Sequence, residues 1–215
     1  MKHPGHFITS PEVKSYCELH TSPESKVLNE LNRETHVNIL NPRMLTGHVM
    51  GSFLRMISEM IKPRRILEIG TYTAYSAICL ASGLSDDGLL HTIEINRELE
   101  DVINRYIEKS GLVKKINLHF GDACDIIPLL NDEFDLVFID ADKEQYLEYY
   151  QLVIEKVRHG GFILVDNALW DGKVLNPEDN ETKTIAEFNQ FVQNDSRVEN
   201  VLLPVRDGIM MIRKL

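Results

Sequence analysis

The chain predicts an α/β fold, a mostly parallel sheet covered by helices on both faces. Three observations carry that expectation. Five short apolar runs each end in a carboxylate: Ile66-Leu67-Glu68, Leu90 to Glu94, Leu118 to Asp122, Leu136 to Asp140 and Phe162 to Asp166. Helix-like stretches lie between them, the alternation from which parallel sheets are built. The last two apolar runs, Val201 to Val205 and Ile209 to Ile212, flank the turn signal Arg206-Asp207-Gly208 and predict an antiparallel hairpin.

The strand pattern starts late. Two helix starts of one type precede it, Ser10-Pro11-Glu12 and Ser22-Pro23-Glu24, each with a capping serine, a proline suited to the first turn and an acid facing the helix dipole. A third helix is expected from about Arg43 to Ile61, with Met44, Phe53, Leu54, Met56, Ile57 and Met60 as its apolar stripe, stopping before Pro63. Residues 1–61 would thus form a helical cap on a core of residues 62–215, all in one domain. After the first strand, Tyr75 to Leu84 reads as a short buried helix, and Arg97 to Ser110 as an amphipathic one ended by Gly111. Further helices are expected at about Lys143 to Arg158 and Glu181 to Asn194. The polar, turn-rich stretch from Trp170 to Glu181 reads as a mobile lid.

Composition narrows the function classes. No run approaches the ~18 to 20 uncharged apolar residues of a membrane helix, and the start Met1-Lys2-His3-Pro4-Gly5-His6 has no apolar signal core behind it. A soluble, cytoplasmic protein with no membrane contact is the expectation. Cys17, Cys79 and Cys124 are unequally spaced and read as reduced thiols. A formal charge of -10 offers no basic footprint for duplex nucleic acid, though a local patch is compatible with it. The eight histidines contain no H-x-x-x-H pair. Val27, Leu28, Leu31 and Ile39 in the cap suggest a face buried on a second subunit, hence a homodimer.

Parallel strands would gather the five carboxylates along one carboxyl edge, where open α/β sheets bind ligands. The loop Gly70-Thr71-Tyr72-Thr73-Ala74-Tyr75-Ser76 follows the first strand but fails as a dinucleotide fingerprint, because Tyr72 and Tyr75 replace its second and third glycines. Glu94 lies 24 positions after Gly70, near the ~20 expected for an acid gripping a ribose. A nucleoside without a diphosphate fits both facts. S-adenosylmethionine (SAM) is such a ligand, and its positive charges suit an acidic edge. Taken alone, Gly70 would equally be a packing turn and Glu94 an exposed strand end.

A second constellation joins Asp140, Asp142 and Lys143 to Asp166 and Asn167. If the fourth and fifth strands are neighbours, Asp140, Asp166 and the Asn167 amide oxygen converge as hard oxygen donors suited to Mg²⁺ or Ca²⁺. Without Cys or His, zinc is disfavoured. Asp142 and Asp166 would also serve as caps or turn residues, and Lys143 as a surface lysine paired with Glu144 or Asp142.

Five segments in order, Ile66 to Ser76, Thr92 to Asn96, Phe138 to Lys143, Asp166 to Trp170 and Leu203 to Gly208, resemble the cation-dependent O-methyltransferases, the group of catechol and caffeoyl-CoA O-methyltransferases. The resemblance runs from about Met44 to the C-terminus. It implies a Rossmann-like class I methyltransferase fold, with a seven-stranded sheet whose last hairpin inserts one antiparallel strand. Carried over residue by residue, it implies cofactor contacts from Thr46, Glu68, Gly70, Thr71, Tyr72, Ser76, Glu94, Ala123, Asp140 and Asp142. It implies a metal held by Asp140, Asp166 and Asn167, either Mg²⁺ or another divalent cation such as Mn²⁺ or Ca²⁺. Lys143 would be the catalytic base beside Asp140, with Met44, Lys143 and Trp170 facing the substrate. Two departures stand out: Ala74 replaces a common loop glycine, and Met50 stands where plant relatives carry an acid.

The expected reaction is methyl transfer from SAM to a hydroxyl of a vicinal dihydroxy aromatic small molecule. A phenol with pKa near ~10 is mostly protonated at neutral pH, so a metal and a base would both be useful. Methylation of hydroxylated uridine in tRNA is the alternative within the same chemistry. A nucleoside-binding protein without catalysis is the third reading, against which intact Asp140, Lys143, Asp166 and Asn167 count.

Overall fold

A computed structural model describes residues 9–215, so the start at residues 1–6 lies outside the described residues. Seven strands, β1 (Arg65–Ile69), β2 (Leu89–Glu94), β3 (Ile116–Phe120), β4 (Phe134–Ile139), β5 (Val157–Val165), β6 (Val198–Leu203) and β7 (Ile209–Lys214), form one sheet. Their order is β3-β2-β1-β4-β5-β7-β6. Every pair from β3 to β5 is parallel, and β7 runs antiparallel to both β5 and β6. The reversed strand is therefore β7, as the Arg206-Asp207-Gly208 turn predicts. Strand order changes direction between β1 and β4, which opens a crevice at their carboxyl ends.

Each face of the sheet carries its own apolar layer. Successive residues of a strand point to opposite faces, so Ile66 joins Leu54, Leu80 and Phe138 on one side while Leu67 joins Val137, Tyr146 and Phe188 on the other. Coverage on both faces explains why β1 and β4 read as continuous apolar runs. At the amino end of the sheet, Asp135 accepts hydrogen bonds from the Arg64 amide (2.7 Å), the Arg65 amide (2.9 Å) and Arg158 Nε (2.5 Å), clamping the starts of β1, β4 and β5 together.

The cap differs from its expected boundaries in informative ways. Helix α1 (Pro11–Leu19) is capped by Ser10 as predicted. Helix α2 (Lys26–Asn38) starts at Ser25 instead of Ser22, because Glu24 is committed elsewhere, accepting the Tyr75 hydroxyl at 2.5 Å and the Asn32 amide at 3.1 Å. The expected single helix from Arg43 is a short 3-10 turn, Pro42–Met44, then a break at Gly47 (φ 75°) and α3 (His48–Ile61). Its buried face is Met50, Gly51, Leu54 and Ser58, while Met56 and Met60 are exposed. A β-carbon on Gly51 would strike the Tyr75 ring and Cys79 sulfur, so glycine lets α3 lie close on α4 (Tyr75–Ala81). Leu31 is fully buried within its own chain, with Val27, Leu28 and Ile39 packed on the same core. Leu31 thus has an intramolecular role, while Val27, Leu28 and Ile39 are partly buried at the edge of that core.

Beyond the cap, α4 ends at Ala81, short of Leu84. A 3-10 turn (Arg97–Leu99) leads into α5 (Glu100–Ser110), which Gly111 ends at φ 75°. Helix α6 (Ala123–Ile126) is brief. The helix expected from Lys143 to Arg158 is a 3-10 turn (Lys143–Gln145) and α7 (Tyr146–Ile154); Arg158 lies in β5, drawn there by strand pairing and by Asp135. Helix α8 (Asn180–Asn194) begins at its Asp179 cap. The lid segment holds a kinked 3-10 element, Trp170–Leu175, tied to the hairpin by the Asp171 amide on Asp207. No helix among the described residues is long and apolar enough to cross a membrane, and all three cysteines are free.

Candidate active site

A cavity of about 1220 Å³ opens at the crevice between β1 and β4. It brings together every candidate cofactor, metal and substrate residue named from the sequence except Glu68. The two ends of the cavity differ in chemistry.

One end is shaped by backbone. Gly70 has φ 99°, and a β-carbon there would fall within the carbonyl of Asp140, so the ends of β1 and β4 approach as only glycine permits. The Gly70 and Thr71 amides both donate to Ile93 O, at 3.0 and 3.2 Å. Tyr72 (φ 49°) and Ala74 (φ 71°) follow in the left-handed region, where a side chain costs energy. That curl delivers the Tyr72 amide to Glu94 Oε2 at 2.7 Å, while the Asn96 amide reaches Oε1 at 2.8 Å. Burial raises the Glu94 pKa, and these amides act in the opposite direction. Both oxygens are thereby fixed, with lone pairs remaining for a diol. Ser76, Asp122 and Ala123 line this end, and Asp122 also caps α6 through the Cys124 amide at 2.8 Å.

Glu68 sits behind the wall. It is fully buried, and its Oε2 accepts from Thr92 Oγ1, which in turn meets Thr71 Oγ1. Oε1 has no partner. Burial pushes its carboxyl up to about 8, Thr92 and Ser76 work against the rise, and Asp140 and Glu94 add to it. Its place is behind Thr71 and Thr92, outside the cavity lining.

The cap closes over this end. Thr46 is buried and lines the cavity beside the exposed Met44, whereas Met50 belongs to the core and is absent from the lining. The Tyr72 hydroxyl donates to Leu40 O at 3.0 Å and Thr35 to Thr73 at 3.2 Å, joining cap to loop.

The other end gathers the second constellation. Asp140 and Asp166 directly follow the paired residues Ile139 and Val165 of the adjacent strands β4 and β5. Asp166 is 1% exposed, and its carboxyl is pushed up to about 7 by burial and by Asp140, with Arg206, the Asn167 amide and Lys143 opposing. Asn167 (φ 59°) donates its side-chain amide to Asp207 at 3.3 Å, which leaves its amide oxygen for another partner. Lys143 Nζ lies 2.9 Å from Asp140 Oδ1 and faces the rings of Tyr146 and Trp170 at 5.3 and 6.0 Å. The reading of Lys143 as a surface lysine paired with Glu144 or Asp142 is thus excluded. Burial lowers its pKa, yet Tyr146 and Asp140 outweigh that and hold it above the usual lysine range. Asp142 lines the cavity and also caps the next turn through the Glu144 amide at 3.1 Å, so both of its readings hold.

Three further residues line the cavity that the sequence did not single out for chemistry, Arg43, Lys173 and Arg206, the last beside Asp166. Arg206 was legible only as a turn residue. Tyr146, buried and donating its hydroxyl to Asp166 O at 2.9 Å, supports the site from below. Among the described residues no three His, Cys, Asp or Glu side chains form a metal-like group, so the oxygen donors here are two carboxylates and an amide.

Known proteins share both sequence and fold. The family described as O-methyltransferase matches residues 18–215. Caffeoyl-CoA O-methyltransferase 2 of Eucalyptus globulus is 37% identical over 186 residues, covering 80% of this chain and 75% of its own. Caffeoyl-CoA O-methyltransferase 5 of Nicotiana tabacum is 34% identical, covering 80% and 78%. Among solved structures, the SAH-bound methyltransferase PaMTH1 of Podospora anserina superposes with a TM-score of 0.88 at 26% identity, covering 95% of this chain and 94% of the other. TomG of Streptomyces achromogenes, an O-methyltransferase solved with SAM, reaches 0.86 at 28% identity, covering 94% and 96%. With a glycine-shaped loop at one end of the cavity, a carboxylate-rich second end and a match across nearly the whole length, the chain belongs to the O-methyltransferase family and has the class I methyltransferase fold.

Proposed function

We propose that this SAM-dependent O-methyltransferase methylates a hydroxyl of a vicinal dihydroxy aromatic small molecule, with a divalent cation held by Asp140, Asp166 and Asn167. The observation that carries the reading is the juxtaposition of Asp140 and Asp166 after register-paired residues of β4 and β5. Adjacent strands lie about 4.8 Å apart, so two carboxylates so placed suit one cation between them. The donor set fits: hard oxygens only, with Asp166 buried and its carboxyl raised by that burial and by the neighbouring Asp140. The names of the relatives, caffeoyl-CoA O-methyltransferases, support an aromatic acceptor.

Methyl transfer from a sulfonium is an in-line displacement, and positioning supplies much of its rate. Glu94 would fix the cofactor through its ribose hydroxyls, and Thr46 and Met44 would close the cap over it. A bound divalent cation would lower the pKa of a coordinated hydroxyl and orient the pair. Lys143 is held charged by Asp140 in this structure, so it becomes a proton acceptor only when the Asp140 charge is directed elsewhere. Trp170 would form one wall for the acceptor ring. Incubation with labelled SAM, Mg²⁺ and a catechol tests this: label should enter the catechol, stop with EDTA and return with excess Mg²⁺. Transfer undiminished by EDTA would overturn the metal role, and absence of transfer would overturn the acceptor class.

A further inference from the structure

Arg206 occupies the β6–β7 turn at φ 55°, a conformation that glycine adopts freely and arginine only at a cost. Its side chain leaves the hairpin and reaches the cap, where Nη2 donates to Leu45 O at 3.1 Å. Nη1 stands 3.6 Å from Asp166 Oδ2, an ion pair too long for a hydrogen bond. A guanidinium carries five N–H donors in a planar fork, and among the described residues this is the one hydrogen bond that Arg206 makes. The rest of the fork borders the cavity.

Other charged groups share the cavity. Lys143 is closely matched by Asp140, and Arg43 and Lys173 line the same cavity without an ion pair among the described residues. Glu181 lines it too, and Asp142 is turned to the Glu144 amide. The wall is thus mixed in charge, and Arg206 is distinguished by its unspent donors, held beside Asp166 with one hydrogen bond made.

We propose that Arg206 reads a carboxylate on the acceptor, so that the preferred substrate is an aromatic acid bearing the vicinal diol. The inference rests on the acceptor reading above and narrows it. One fork meets one carboxylate through two parallel hydrogen bonds, and the Leu45 carbonyl holds the fork in orientation. A phosphate dianion fits less well, because that carbonyl and Asp166 already present negative atoms beside the fork. A neutral diol would leave the donors unpaired in a partly dry site.

Binding is the direct test. Calorimetry with SAH and Mg²⁺ would compare 3,4-dihydroxybenzoate, 4-methylcatechol and benzoate on the unaltered protein, Arg206→Gln and Arg206→Gly; the glycine variant relieves the left-handed strain and so keeps the fold. The acidic diol should bind roughly ten- to a hundredfold tighter than the neutral one, the range of a charged hydrogen bond. Both variants should bring that ratio to within about threefold of unity, for the same reason. Equal affinity of the two diols for the unaltered protein, or a parallel loss of both in the variants, would overturn the proposal. Displacement of 3,4-dihydroxybenzoate by micromolar bulk tRNA would also overturn it, by assigning the fork to a phosphate backbone. Turnover separates the two readings. If neither diol is methylated but benzoate binding depends on Arg206, the acceptor reading fails and the carboxylate site stands.

Discussion

Lys143 and Asp140 face each other at 2.9 Å with side chains only 12% and 19% exposed, a buried ion pair in the wall of the cavity. Breaking such a pair from one side strands the other charge. Lys143→Met should therefore lower kcat by roughly a hundredfold or more, the usual scale of a lost general base, while the SAM dissociation constant changes little. Steady-state kinetics beside calorimetric SAM binding would check both halves.

Asp166 and Glu94 serve different ends, so their losses should have different signatures. Asp166→Ala should abolish Mg²⁺-dependent turnover and leave SAM affinity within a few-fold of its original value. Full activity of that variant in EDTA would refute the metal role.

Glu94→Ala removes the acceptor of the Tyr72 and Asn96 amides together with the expected ribose contacts. Each charged hydrogen bond is worth about 1.5 to 3 kcal/mol, so SAM should bind at least roughly tenfold more weakly. An unchanged dissociation constant would remove Glu94 from the ribose.

Glu68 predicts a pH dependence of stability. Its folded pKa of about 8 lies above the ordinary value of 4.5, so between those values the folded state binds more protons than the unfolded one. Its contribution to stability is fully present below the unfolded pKa and is lost as pH rises toward 8, at roughly 1 kcal/mol per pH unit. Urea unfolding of Glu68→Gln between pH 5 and 8 should show a flatter profile than the unaltered protein. Parallel profiles would place the titration elsewhere.

The sheet and its single reversed strand were legible because apolar runs, carboxylate ends and the Arg206-Asp207-Gly208 turn are local signals. The loop after β1 was legible from Gly70, and the structure brings it to Glu94 through the Tyr72 amide. Tertiary commitments were not. Ser22 loses its capping role because Glu24 bonds Tyr75, 51 positions away, and Glu68 withdraws from the cavity because Thr92 on the next strand claims it. Lys143 shows the same limit, since its pKa follows from the closeness of Tyr146 and Asp140. The pairing of His91 with His119 at 2.9 Å depends on β2 and β3 being neighbours and leaves no motif in the chain.

Asp135 clamps the starts of β1, β4 and β5 at the edge opposite the cavity, through two backbone amides and Arg158. Strand register is thereby set where no ligand sits. The hairpin turn and the Trp170 segment hang from the far edge, away from that clamp. Such an architecture separates the positions that set register from those that face the cavity, and it marks Trp170, Lys173 and Arg206 as the place to redesign selectivity, while Gly208, packed on Leu169, must stay.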